Sequence, residues 1–304
     1  MPVDVLIVGS GIAGLSAALT SARLGRSTAL LTGDVLGGQL LSIAKVDGYP
    51  GFPDGIPGYD LCPIVQEQAV AAGAELMAAE LTSLDQADGA WRAVAGDGSA
   101  IEARAIILAT GASLKTLGVP GEERLFGKGV SHCASCHAPL LKGKTAVVIG
   151  GGDSALQEAL VLADAAAKIV VVHRGPAITA QKAYGEAVAA QPKIELRSEM
   201  EVTEILGDAA VEAVRLKNGQ DIAASGVFVF VGLSPNGAIA PSAVRDNNGA
   251  VVTDGAMRTI LTGLAAAGAV RAGWPGRAAA AAGEAATAAV AVDRFLRDNR
   301  WRGE

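Results

Sequence analysis

Cys133-Ala134-Ser135-Cys136-His137 is the stretch of this chain best equipped for chemistry. Two thiols at this spacing close a small ring that cycles between dithiol and disulfide near physiological potentials. The imidazole that follows is able to hold or release a proton at neutral pH. Just downstream, Ala146-Val-Val-Ile-Gly150-Gly-Gly152-Asp-Ser-Ala155 places a G-x-G-x-x-A turn between an apolar strand and a helix. Such a turn lets backbone amides approach a dinucleotide pyrophosphate. A second turn, Gly9-Ser-Gly11-Ile-Ala-Gly14, follows Val3-Asp-Val-Leu-Ile-Val8. Two dinucleotide sites and one cysteine pair point to a flavoprotein that relays electrons between a nicotinamide and a disulfide.

The C-x-x-C-H string has other readings. It matches the attachment pattern of c-type haem, with the histidine on iron. That chemistry requires export, and Met1-Pro-Val-Asp4 lacks the basic region of a secretory leader and runs straight into the glycine turn. Zinc held by His132, Cys133, Cys136 and His137 would crowd four ligands into six residues. An inert structural pair is the plainest alternative. Redox activity leads these readings, and no metal is expected.

Composition sets the frame. The chain has 304 residues, enough for two domains with real cores, with 50% apolar residues, 18% charged residues and 39 glycines. Its net charge of −6 argues against nucleic acid or an anionic membrane as the main partner. No apolar run reaches the ~18 residues of a spanning helix without glycine or polar interruption. The third cysteine, Cys62, is isolated and reads as a buried small hydrophobe. Three cysteines and no leader predict a cytoplasmic protein, in which the pair is catalytic rather than a staple.

Periodicity then supplies the elements that must position these groups. Val3–Val8 and Ser27–Leu31 read as buried strands flanking a helix over Ile12–Leu24. The second strand ends Leu31-Thr32-Gly33-Asp34, without a clear ribose-binding acid. The segments around Gly37-Gly38-Gln39-Leu40 and Gly48–Phe52 are too glycine-rich for a helix and read as loop. Tyr59–Ala72 is amphipathic and helical, Glu75–Ala95 strand-like, and the apolar strand from Ala105 ends in Thr110-Gly111-Ala112. The pattern restarts with a strand over Thr145–Ile149, a helix over Ser154–Ala166 and a strand over Lys168–His173, closed by Arg174. Val211–Leu216 and Val227–Val231 are expected to continue this second βαβ unit. An alanine-rich helix begins at Ala278.

The motifs occur in an order that resembles the low-molecular-weight thioredoxin reductases along essentially the whole chain. The strings that carry the resemblance are Gly9–Gly14, Gly37-Gly38-Gln39-Leu40, Pro50-Gly51, Ala109-Thr110-Gly111-Ala112, Cys133–Cys136, Gly150–Ala155 and Gly232-x-x-Pro235-Asn236. The resemblance implies an α/β fold of two Rossmann-like dinucleotide-binding domains. The nicotinamide-type domain, residues 119–243 with the C-x-x-C, would be inserted into an FAD domain made of residues 1–118 and 244–304. It also implies a homodimer and a rotation between domains. Gly9, Gly11 and Gly14 would hold the FAD pyrophosphate, with Gln39, Thr110 and Gly111 nearer its other groups and Gly268 and Arg277 completing the flavin contacts. Gly150, Gly152, Ala155 and Arg174 would serve the pyridine nucleotide. Cys136 would face the flavin, Cys133 would attack the substrate, and His137 would act as general acid/base.

Three positions depart from the family pattern. His137 stands where the family has an acid, a feature similar to the related dithiol oxidases. His173-Arg174-Gly175-Pro176-Ala-Ile-Thr179 keeps one arginine of a cationic set that grips a 2′-phosphate, which favours NADH over NADPH, or no nicotinamide at all. Ala267-Gly268-Ala269-Val270 lacks the carboxylate that accepts ribityl hydroxyl bonds, and Arg277-Ala278 replaces an Arg-Gln pair. Each lost bond weakens flavin binding by ~0.5–1.5 kcal/mol, which a tight site absorbs. The leading expectation is an FAD-dependent disulfide oxidoreductase acting on a thioredoxin-like protein or a small-molecule dithiol or disulfide. Its rivals are a dithiol oxidase using oxygen, a ferredoxin-fed reductase, and a non-enzymatic flavin-binding redox sensor.

Overall fold

The computed structural model describes residues 2–87 and 89–302. The chain divides into two compact units, one made of Met1–Ser113 and Ser234–Glu304 and the other of Leu114–Leu233.

The first unit is built on a seven-stranded sheet. Val3–Val8 (β1) leads into the helix Ile12–Arg23 (α1) and then Thr28–Leu31 (β2), which lies parallel to β1 with Val5 opposite Thr28. The helix Gly58–Ala71 (α2) precedes Glu75–Met77 (β3), and Leu81–Ala87 (β4) and Ala90–Ala95 (β5) form an antiparallel pair. Ala100–Leu108 (β6) is long enough for two tasks. Its first half pairs antiparallel with β5, and its second half lies parallel to β1. Continuous apolar runs such as Leu6-Ile7-Val8 and Ile106-Ile107-Leu108 suit strands covered on both faces. The glycine-rich loop holds more order than its composition implies, since Gly38–Ser42 winds into a 3₁₀ turn. Gly37 makes this possible with φ of 107°, a left-handed conformation that costs glycine little.

Ala112–Leu114 (β7) carries the chain into the second unit. There Val130–Ser131 (β8), the short helix Ala134–His137 (α3), Thr145–Ile149 (β9), the helix Asp153–Ala163 (α4), Lys168–Val172 (β10), the helix Lys182–Ala190 (α5) and Ile194–Arg197 (β11) follow in order. Val202–Leu206 (β12), Ala213–Leu216 (β13) and Asp221–Ala223 (β14) form an antiparallel meander before Gly226–Val229 (β15). The parallel sheet runs β11-β10-β9-β15-β8. Val211–Leu216 therefore does not continue the βαβ pattern, whereas Val227–Val229 does. The physical reason is alternation. Val214 and Leu216 are buried around a half-exposed Arg215, the period-two pattern of a sheet packed on one face, while all four residues of β15 are buried.

The return strand Leu233–Pro235 (β16) pairs with β7. The inserted unit runs from Leu114 to Leu233. Side-chain burial explains both edges. Leu114 and Leu117 pack in the inserted unit, whereas Ile239, Ala240 and Val244 pack against the core of the first. Leu264–Ala266 (β17) then joins the second half of β6, and the helix Ala278–Asp298 (α6) closes the chain. On α6 the buried face is Ala281, Ala285, Ala288, Ala289 and Val292, packed with Ala13, Ala17 and Ala18 of α1. Small residues on both helices let their backbones approach closely. Among the described residues no helix is long and apolar enough to cross a membrane.

Candidate active site

The redox pair sits where β8 gives way to α3. Cys133 and Cys136 are joined as a disulfide, their Cα atoms 5.4 Å apart. Cys133 caps the helix, and its Sγ accepts the Cys136 N–H at 3.2 Å. Such a bond favours a thiolate on Cys133, because an amide hydrogen aimed at sulfur stabilises negative charge there. The Ser135 hydroxyl stands 3.4 Å from the same sulfur. Cys136 is the exposed member of the pair.

His137 is oriented by its own turn. Its Nδ1 lies 3.0 Å from Ser131 Oγ and 3.1 Å from the Cys133 carbonyl oxygen. Ser131, itself buried, also accepts the Cys133 N–H at 3.0 Å. Nδ1 is thus engaged whichever tautomer is present, and Nε2 is the nitrogen left to exchange a proton. Beneath the turn, the Ala134 N–H donates to Glu158 Oε2 at 3.1 Å. Glu158 lies on the apolar face of α4 and is 3% exposed. Burial pushes its carboxyl up to about 7, against the opposing effect of the Ala134 N–H. Cys62 behaves differently from the pair. It is fully buried, its Sγ donates to the Gly37 carbonyl at 3.4 Å, and burial pushes the thiol up to about 11.

The two glycine turns share one design. At Gly9 a Cβ would stand 2.4 Å from the Ala109 carbonyl oxygen, and at Gly14 it would stand 1.6 Å from the Gly9 carbonyl oxygen, so both are needed for packing. Gly11, the N-cap of α1, has open space where its Cβ would be. In the second turn, a Cβ at Gly150 would stand 2.2 Å from the Phe230 carbonyl oxygen and 3.1 Å from the Cβ of buried Ala155, while a Cβ at Gly152 would meet only Thr179 Oγ1, at 3.8 Å. The middle glycines thus leave open space at helix starts, which suits a pyrophosphate. We expect Gly14→Ala to destabilise the protein by ~1–3 kcal/mol or more through overpacking. Gly11→Ala should leave the thermal midpoint of the flavin-free protein nearly unchanged and weaken FAD binding. Thermal melts with and without added FAD check both, and a large loss of flavin-free stability in Gly11→Ala would contradict the assignment.

The remaining residues named from sequence fall in three places. Gln39 donates to the Ala112 carbonyl, and the Thr110 hydroxyl donates to the Asn236 carbonyl at 2.7 Å. Asn236 returns a bond from Nδ2 to the Thr110 carbonyl at 3.0 Å, donates its N–H to Gly111 at 3.0 Å, and accepts from Ser113 at 2.8 Å. Gly268 adopts φ of 77°, and its N–H donates to Glu284 Oε2 at 2.8 Å. Glu284 also pairs with Arg271 through Oε1 at 2.6 Å, so both of its carboxylate oxygens are engaged. Arg277 is exposed at the N-cap of α6.

Arg174 lies in the inserted unit, in a hollow of about 370 Å³ that it lines with Glu199, Glu201, Lys217 and Asn218. Glu201 pairs with Lys217 at 2.7 Å, and the positive charge of Arg174 contributes to holding its carboxyl below the usual range, after Lys217. Two cations therefore face two carboxylates, and the hollow has no net positive charge.

Four residues here lie outside the sequence-based set: Ser131, Glu158, Asn236 and Glu284. Glu158 left a trace, since an acid among Ala155, Leu156, Ala159 and Leu162 interrupts an apolar helix face. Ser131 left none.

These features define a class. The chain belongs to the pyridine nucleotide-disulphide oxidoreductase family, which it matches over residues 3–285. Within that family it is 37% identical over 298 residues to the thioredoxin reductase of Treponema pallidum, covering 96% of this chain and 97% of the relative. Its structure superposes on Lactococcus lactis thioredoxin reductase with a TM-score of 0.93 at 32% identity, covering 97% of this chain and 99% of the other. T. acidophilum thioredoxin reductase gives 0.92 at 33% identity, covering 98% of this chain and 99% of the other. The protein is an FAD-dependent thiol–disulfide oxidoreductase of thioredoxin-reductase type, working with a pyridine nucleotide and the Cys133–Cys136 pair.

Proposed function

We propose that this enzyme carries electrons from NADH, in preference to NADPH, to the disulfide of a thioredoxin-like protein or a small molecule. It does so as a cytoplasmic homodimer, with the unit of residues 1–113 and 234–304 serving FAD and the unit of residues 114–233 serving the nucleotide. The observation that carries this reading is the arrangement of Cys133, Cys136 and His137 on one turn. FAD, when bound, supplies two-electron transfer between a hydride donor and the disulfide. Gly9, Gly11 and Gly14 hold its pyrophosphate, Gln39, Thr110, Gly111, Gly268 and Arg277 border its other groups, and Gly150, Gly152 and Ala155 receive the nucleotide. Reduction breaks the Cys133–Cys136 bond, and His137 Nε2 donates a proton to the Cys136 sulfur. Cys133, favoured as thiolate by the Cys136 N–H, then attacks the substrate disulfide. Cys136 resolves the mixed disulfide and restores the ring.

The balanced charges around Arg174 support the NADH preference. A 2′-phosphate there would lack two charge-assisted contacts worth ~1.5–3 kcal/mol each, which costs the NADPH complex more than about tenfold in affinity, so NADH should outperform NADPH. Anaerobic stopped-flow reduction by each nucleotide checks this, and faster reduction by NADPH at equal concentration would contradict it. The same hollow favours a second reading, in which a dithiol feeds the pair and oxygen accepts the electrons, or ferredoxin replaces the nucleotide. Reduction by a dithiol and by neither nucleotide would select that branch.

A further inference from the structure

Glu158 has no part in the chemistry described so far, yet it is the buried acid nearest to it. Its Oε2 accepts the N–H of Ala134, the residue that follows Cys133. It is 3% exposed, and among the described residues this is its hydrogen bond; no ion pair joins it. One peptide unit therefore separates the carboxyl from the cysteine that carries the thiolate. We propose that Glu158 is a positioning residue of the redox centre, which fixes the first turn of α3 through Ala134 and takes up a proton when the Cys133–Cys136 bond is broken. This rests on the oxidoreductase reading and adds a proton site to it.

The coupling follows from charge. Reduction converts the disulfide, two electrons and one proton into a Cys133 thiolate and a Cys136 thiol. A thiolate one peptide unit away disfavours a second negative charge in a poorly solvated site. The carboxyl, already raised to about 7 by burial with the disulfide formed, rises further when the thiolate appears beside it. Between the two values reduction draws in an extra proton, with Glu158 passing from carboxylate to acid.

Other ionisable groups near α4 are accounted for. On α3, His137 has Nδ1 engaged with Ser131 and the Cys133 carbonyl. β9 and the 3₁₀ turn Ala138–Leu141 carry none. Lys168 of β10 and Arg197 of β11 both pair with Glu195, and Lys182 pairs with Glu186 on α5, which also bears Tyr184. On α4 itself, Asp153 accepts from Gln181, and at its C-terminal end the Ala163 carbonyl accepts from Lys193 Nζ. None of them bonds Glu158.

The test compares the dithiol–disulfide potential of the FAD-loaded wild type and Glu158→Gln across pH 6–9, set by dithiothreitol redox buffers and read by thiol labelling. Glutamine keeps an acceptor for Ala134 and cannot ionise. Contributions of His137 and the thiols are common to both proteins and cancel in the difference. The wild-type potential should fall with pH more steeply than that of the variant near neutrality. The excess is at most about 30 mV per pH unit, the tenfold change in proton concentration converted for a two-electron couple. Equal slopes overturn the proposal while leaving the oxidoreductase reading intact. A wild type with no dithiol couple overturns both. If the glutamine variant does not accumulate folded, the infrared difference spectrum of wild type, reduced minus oxidised, reads the same proton. A gain in protonated-carboxyl absorption between pH 7 and 8 is expected, and no change there overturns the proposal.

Discussion

Cys133→Ser and Cys136→Ser should each lower disulfide turnover by about 10³-fold or more, with FAD content and melting behaviour unchanged. The two sulfurs act as one unit, so each single loss should approach the double variant rather than half of it. Without Cys133 the chain lacks the sulfur that the Cys136 N–H stabilises as thiolate. Without Cys136 a mixed disulfide on Cys133 has no partner to release it. The two variants should therefore fail differently. Cys136→Ser should trap substrate covalently on Cys133, visible as a mass increase that dithiothreitol reverses. Ordinary turnover in Cys136→Ser would remove the relay from the account.

His137→Ala should slow exchange between the flavin and the cysteine pair by roughly 10²–10⁴-fold, the range for loss of a general acid/base. The imidazole is oriented by Ser131 and the Cys133 carbonyl at Nδ1, leaving Nε2 for the proton. His137→Asp should recover much of the rate, because a carboxyl at this position also carries an exchangeable proton. Its pH profile should move to lower values, as a carboxyl titrates below an imidazole. A stopped-flow pH series on flavin absorbance for all three proteins checks this. An unchanged profile in His137→Ala would reduce the residue to a bystander.

Much of the scaffold can be read from the chain because its signals are local. Within the strands Val3–Val8 and Thr145–Ile149, Val5–Val8 and Ala146–Ile149 are uninterrupted apolar runs ended by glycine, and both strands are central and parallel. The close approach at Gly9, Gly14 and Gly150 likewise appears as glycine at fixed spacing. Val211–Leu216 misleads because a short apolar run has the same look in a parallel core strand and in a meander, and only the buried-exposed alternation separates them. The surroundings of the redox pair are less visible. Glu158 is 24 positions from Ala134, and the fold of β9 and α4 brings them together. Asn236 lies 126 positions from Thr110, bridged by the pairing of β7 with β16. Residue type and spacing thus reveal the reacting groups, while the partners that orient them emerge with tertiary contact.

The central claim is that flavin and the Cys133–Cys136 pair form one electron path. An anaerobic reductive titration with dithionite, following flavin absorbance per bound FAD, tests it most directly. Wild type should accept two electron pairs per FAD before the flavin is fully bleached, one for the flavin and one for the disulfide. The Cys133→Ser, Cys136→Ser double variant should accept one. Complete bleaching of the wild type by a single electron pair, the same as the double variant, would contradict the account.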